Sequence, residues 1–152
     1  MEAFSGDNSY LALFVVSFIA STIIPLGSEW LLVAMLMNGK SAHLCVLIAS
    51  SGNYLGGLTN YFIGLGGSTW IIRRLLRITE ERETKARAFY ERYGKWSLLL
   101  SWLPVAGDPL CLIGGIMKTG IIPFSILVFT GKFARYSVLA WLTGEGMKLA
   151  IK

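Results

Sequence analysis

Four ionisable side chains, Glu29, Asp108, Lys132 and Arg135, lie inside apolar runs of this 152-residue chain. Burial and a neighbouring cation pull a carboxyl's proton affinity in opposite directions, so Glu29 and Asp108 can each hold or release a proton near neutral pH. Lys132 and Arg135 stand three residues apart, which puts them on one face of a helix. Two acids meeting two cations suit proton-coupled movement of an anionic group: the cations bind the anion and the acids exchange protons. The bland alternative is a pair of buried ion pairs that only fix packing. An ionisable group at bilayer depth costs ~2.5–3.5 kcal/mol on insertion scales, which weighs against purely structural charges.

Both acids follow a break in the chain. Leu103-Pro104-Val105-Ala106-Gly107-Asp108-Pro109-Leu110 interrupts the apolar run Trp96–Met117, and Pro25-Leu26-Gly27-Ser28-Glu29 interrupts the run Tyr10–Met37. Proline lacks the N–H and clashes with the preceding turn, so no regular helix is expected to pass through either stretch. Pro25, Gly27, Pro104, Gly107 and Pro109 are therefore the residues expected to shape two hairpin tips. Tyr10–Met37 is 28 residues, long for one span of ~20 and too short for two with a turn, so a re-entrant or discontinuous helix fits it better. Two broken, acid-bearing segments in corresponding halves point to a transporter binding site.

The composition supports a membrane setting. Hydrophobic residues make up 54%, charged residues only 15%, and mean hydropathy is +0.59, too apolar for an ordinary soluble domain. Of the net charge of +5, +4 falls between Arg73 and Lys95, where eight basic residues face four acids. A basic segment confined to one stretch reads as cytoplasmic membrane surface and not as a nucleic-acid interface. Met1–Tyr10 holds two acids and no basic residue, unlike the n-region of a cleaved signal peptide.

The halves repeat. Pro25 to Pro104 and Glu29 to Asp108 are both offset by 79 residues. Each broken segment is followed by a small or cationic turn and a full span, Leu44–Ile72 in the first half and Ile121–Thr143 in the second. Along the first span Gly52, Gly56, Asn60 and Gly64 recur every fourth residue, a face for close helix approach and a candidate dimer interface. Asn53 and Asn60 are polar groups at depth and candidates to line a path. Between the halves, Thr79 can cap a helix that Gly94 closes, with Glu81–Lys85 and Glu83–Arg87 as four-residue ion pairs. Ala86, Phe89, Tyr90 and Tyr93 share one face of it against a charged opposite face, the pattern of a helix lying in the interface.

Enzyme chemistry is disfavoured. His43 is the single histidine, and no Cys or His cluster has metal-ligand spacing. Cys45 and Cys111 lie in apolar runs and read as small buried hydrophobes. No nucleophile elbow or glycine-rich phosphate loop is present, so no cofactor is expected.

In combination the motifs resemble the DedA superfamily, also called SNARE-associated or VTT-domain proteins, and most of all its short YqaA-type bacterial members. The resemblance rests on Pro25-Leu26-Gly27-Ser28-Glu29, Gly52-Asn53 through Tyr61-Phe62-Ile63-Gly64, Arg92-Tyr93-Gly94, Ser101 through Asp108, Gly114-Gly115, Gly131-Lys132 and Arg135-Tyr136. It implies two re-entrant hairpins meeting in the bacterial inner membrane and the transport or flipping of lipids. It carries the family's membrane glutamate onto Glu29. Two positions depart from the family pattern: Asn53 stands in place of an acid, and Gly107 in place of an arginine, whose charge Arg135 is placed to supply.

The resulting expectation is a single all-α, multi-pass membrane domain over 1–152, an inverted repeat (9–72 and 96–146) joined by an amphipathic interfacial helix (73–95). Its expected activity is transport of an anionic lipid or lipid-linked phosphate, with membrane lipids and protons as partners and a homodimer as a candidate assembly. The rivals are a non-transporting scaffold or assembly factor and a small ion or solute channel.

Overall fold

The computed structural model describes residues 8–22, 27–66, 79–104 and 106–150, and the elements among them are all helical. Helix α1 (Asn8–Ala20) and helix α2 (Glu29–Met37) flank the first break, and helix α3 (Ala42–Leu65) follows. Helix α4 (Glu80–Tyr93) leads into a 3₁₀ helix (Gly94–Trp102); beyond the second break come α5 (Gly107–Ile116) and α6 (Ile121–Ala150). Pro25 and the tail of the expected first span, Gly67–Ile72, lie outside the described residues.

Element lengths sort into two classes. At 1.5 Å per residue, α2 and α5 reach only ~13–15 Å, while α3 and α6 reach ~36–45 Å. The 3₁₀ helix has nine residues against thirteen in α1. Its rise of ~2.0 Å per residue lets it reach ~18 Å, nearly as far as α1.

Close approaches fix the directions. Gly52 abuts Phe14, Gly56 abuts Phe18, and the Asn60 amide donates to the Ser21 carbonyl, so α1 runs parallel to α3. Leu31, Leu32, Met35 and Leu36 of α2 bury against Leu13 of α1 and against Cys45, Val46 and Ala49 of α3. A short turn at Gly39, with φ of +75°, joins the end of α2 to the start of α3, so α2 runs antiparallel to α1 and α3 as the return arm of a hairpin, seated mainly on α6. In the second half, Gly107 packs on the Ser101 carbonyl and Gly114 on the Leu98 side chain. The 3₁₀ helix and α5 therefore form the matching hairpin.

The long helices α3 and α6 are antiparallel. Asn53 meets Lys132, and towards the far end of α3 Tyr61 packs on Phe124, near the start of α6, with ring centroids 4.4 Å apart. Asn53 and Lys132 are themselves equivalent under the 79-residue offset. Tyr54–Ser125, bonded at 2.7 Å, corresponds to Val46–Phe133, and Tyr61–Phe124 corresponds to Cys45–Ala140, each of which meets in one cavity wall or core cluster. Contacts that repeat with their partners exchanged are the signature of a two-fold relation.

The glycine face of α3 is filled from within the chain, which corrects its reading as a dimer interface. Gly52 and Gly56 receive α1, while Gly64 receives α5, whose own Gly115 seats on the Tyr61 carbonyl. A methyl at Gly64 or Gly115 would overlap backbone that cannot swing aside. Gly115→Ala is expected to destabilise the protein by about 1–3 kcal/mol through overpacking, read as a lowered unfolding midpoint in detergent, whereas Gly144→Ala, inside α6 with open space around it, is expected to stabilise it by about 0.5–1 kcal/mol through helix propensity.

Helix α4 is capped as its sequence suggests: the Thr79 hydroxyl accepts from the Arg82 N–H, and Gly94 closes the helix with φ of +61°. Lys85 bonds Glu81 and holds its carboxyl below the usual range, and Arg87 pairs with Glu83 at 3.6 Å. Its apolar face, Ala86, Phe89 and Tyr90, packs on the cluster built by the 3₁₀ helix, α5 and α6. Both cysteines are buried and free.

Candidate functional site

The starts of α2 and α5, the middle of α6 and Asn53 of α3 enclose a cavity of about 240 Å³. Glu29, Asp108, Lys132 and Arg135 all line it. Each break is what allows this: the helix that follows it starts with its acid in the first turn. The positive ends of two helix dipoles therefore face the same space.

The charges form two pairs of different character. Lys132 is 2% exposed and lies 3.7 Å from Asp108, which is 25% exposed. The lysine ammonium also donates to Asn53 Oδ1 and, at 2.9 Å, to Ser21 Oγ; Ser21 in turn donates to Asp108 Oδ1 at 2.7 Å. Asn53 turns its amide nitrogen to the Ser17 carbonyl at 3.1 Å. This buried pair is fixed from every side. Arg135 pairs with Glu29 at the cavity rim and donates to the Trp102 carbonyl at 3.0 Å. Beside this pair, Ser28, which precedes Glu29, and Tyr136, which follows Arg135, share a hydrogen bond that locks α2 onto α6. The four charges sum to zero.

Some residues occupy other roles than their sequence positions suggest. Asn60 does not line this cavity: it is wholly buried and its amide nitrogen donates to the Ser21 carbonyl. Pro109 lies inside the first turn of α5, where the missing N–H is an orphan anyway, so it starts the helix and does not shape the break. Gly107 closes the hairpin through its contact with Ser101, and Pro104 sits in the break itself. Gly27 serves Glu29, because a methyl there would occupy the space of the Glu29 carboxylate.

Ser21, Ser28 and Tyr136 belong to the site; Ser28 and Tyr136 fall in motifs of the family resemblance without a role assigned to them, and Ser21 carries no sequence signal beyond being polar in an apolar run. Their partners are 87 to 111 residues away.

The comparisons decide the lineage. The inner membrane protein YqaA of Escherichia coli K12 is 42% identical over 140 residues, covering 91% of this chain and 94% of that protein. The chain belongs to the YqaA family. The YqaA of Shigella flexneri matches equally, and a Haemophilus influenzae protein named only as uncharacterized is 36% identical, with 92% and 93% of the two chains covered. No family model and no solved structure matches the chain. In this YqaA-family chain the paired charges of both halves line one cavity.

Proposed function

We propose that this YqaA-family protein is a multi-pass, inner-membrane carrier of the DedA type that moves an anionic lipid or lipid-linked phosphate, coupled to protons. The observation that carries the reading is the convergence of both broken segments, with two acids and two cations, on one cavity. Placement in the membrane rests on the inner-membrane name of its relatives and on α6. Residues Ile121–Leu149 of α6 are long and apolar enough to cross a bilayer, and only 33% of its most apolar window is buried. The half-length helices α2 and α5 then start near the bilayer centre as arms of re-entrant hairpins. The antiparallel α3 and α6 make the halves an inverted repeat, and α4 lies along the surface.

The mechanism follows from charge balance. In the resting state each cation is matched by a carboxylate, so an incoming anion would bring uncompensated charge into a site of low dielectric, which is costly. Protonation of Glu29 removes one negative charge and frees the Arg135 guanidinium, which can then bind a phosphate head group bidentately. Loss of that proton on the opposite side restores the Glu29–Arg135 pair and expels the anion. Asp108 holds Lys132 throughout and supplies the fixed half of the field.

Purified protein in proteoliposomes tests this with phospholipid and polyprenyl-phosphate probes and a neutral lipid control. The account expects anionic probes to cross at least tenfold faster than in protein-free vesicles. A scaffold would move none of them, and a channel would pass small ions without moving lipid; either result overturns the carrier reading.

A further inference from the structure

The two-fold relation between the halves breaks down at Arg135, and that place is open. In the first half Gly56 lets α1 lie directly on α3, and Asn60 ties the contact to Ser21. The equivalent positions in the second half are Arg135 and Leu139. Nearer the start of α6 the 3₁₀ helix still packs tightly, with Gly131 against the Leu99 carbonyl. At Arg135 the side chain props the end of that helix away from α6, reaching the Trp102 carbonyl across the gap.

A groove of about 470 Å³ results, walled by Trp102, Pro104, Ala134, Val138 and Leu139. Glu29, Pro104 and Arg135 line both this groove and the polar cavity. An apolar trough thus ends on an arginine whose present partner is a carboxylate. The shape and charge match an amphiphile with a hydrocarbon tail and an anionic head that exchanges with Glu29 on the arginine.

We infer that this groove holds the hydrocarbon tail of a phosphate-headed lipid whose head replaces Glu29 on Arg135, so substrate enters sideways, from the second half alone. The inference rests on the carrier reading for its substrate class. Trp102 and Val138, 41% and 55% exposed, are then contacts to the tail and set its specificity. The Lys132–Asp108 pair lines the polar cavity but not the groove, and takes no part in tail binding.

The test uses full-length protein in nanodiscs and dodecyl phosphate carrying a terminal diazirine, with the same chain ending in a hydroxyl as the neutral control. Peptides containing Trp102, Ala134 and Val138 should be labelled at least fivefold more by the phosphate than by the alcohol. Val138→Trp and, independently, Ala134→Phe should each cut that labelling at least fivefold by filling the groove. Ile126→Trp, on an exposed stretch of α6 elsewhere, should leave it unchanged. Arg135→Gln should erase the preference for phosphate while tail labelling persists. Equal labelling by the two probes in the wild type, or labelling indifferent to both groove-filling variants, overturns the inference. Labelling is read without flux, so anion-selective labelling in a protein that moves no lipid keeps the groove and removes only transport. Lipid movement without such labelling removes the groove alone.

Discussion

Glu29→Gln is expected to tighten anion binding about tenfold, flatten its pH dependence and slow translocation at least tenfold. Glutamine keeps the shape and mimics the protonated acid, so Arg135 no longer has a carboxylate competing for it. A charge-assisted hydrogen bond contributes ~1.5–3 kcal/mol, and ~1.4 kcal/mol is a factor of ten in affinity. On the proposed mechanism the wild-type carboxylate takes up a proton before the anion binds, so affinity is expected to rise as pH falls. In the variant that step is absent, and affinity stays flat across the same range. Release suffers for the same reason, because no returning negative charge expels the head group. Titration with dodecyl phosphate at several pH values reads the affinity, and vesicle assays read the rate. A purely structural pair predicts the opposite pattern, in which Glu29→Gln lowers stability and leaves the pH profile of binding unaltered.

The second large effect falls on stability, and it is unequal within one ion pair. Asp108→Ala leaves the Lys132 ammonium, 2% exposed, without its counter-charge. Breaking a buried pair from one side costs about 3–5 kcal/mol, and Ser21 and Asn53 offer only neutral oxygens in exchange. Lys132→Met should cost less, because the Asp108 carboxylate left behind still faces the cavity and keeps its bond from Ser21. The double variant Asp108→Leu/Lys132→Met should recover most of the loss, since apolar groups can replace a buried pair at little cost. Unfolding midpoints in detergent give the order directly. A Lys132→Met variant less stable than Asp108→Ala would contradict the assigned burial.

The contrast between these two pairs shows what a sequence can carry. The breaks were legible because proline and glycine act locally: Pro104 stops the 3₁₀ helix whatever surrounds it, and Gly39 and Gly94 take the positive φ that ends α2 and α4. The ion pairs of α4 were legible for the same reason, since each spans four residues. The spacing Gly52, Gly56 and Gly64 gave a face for close approach but not its occupant, and the chain covers that face with α1 and α5. Pro109 was misleading because a proline that ends one helix and a proline that begins the next look alike in sequence. Ser21 was silent: a serine in an apolar run becomes part of a site only when Asp108 and Lys132 arrive from 87 and 111 residues away. The 3₁₀ winding of Gly94–Trp102 was equally silent, as nothing in that sequence opposes an ordinary helix. Even the offset of 79 residues, plain in the acids, did not reveal that Asn53 and Lys132 meet as equivalents.

The central claim is that one proton on Glu29 gates one anion on Arg135. It is tested most directly by lipid-phosphate translocation in proteoliposomes, with and without a pH gradient, for wild type and Glu29→Gln side by side. The account predicts gradient-driven movement in the wild type, and slow, gradient-insensitive movement in a variant that is folded and binds the anion more tightly. Equal rates in the two proteins, each responding alike to the gradient, would contradict it.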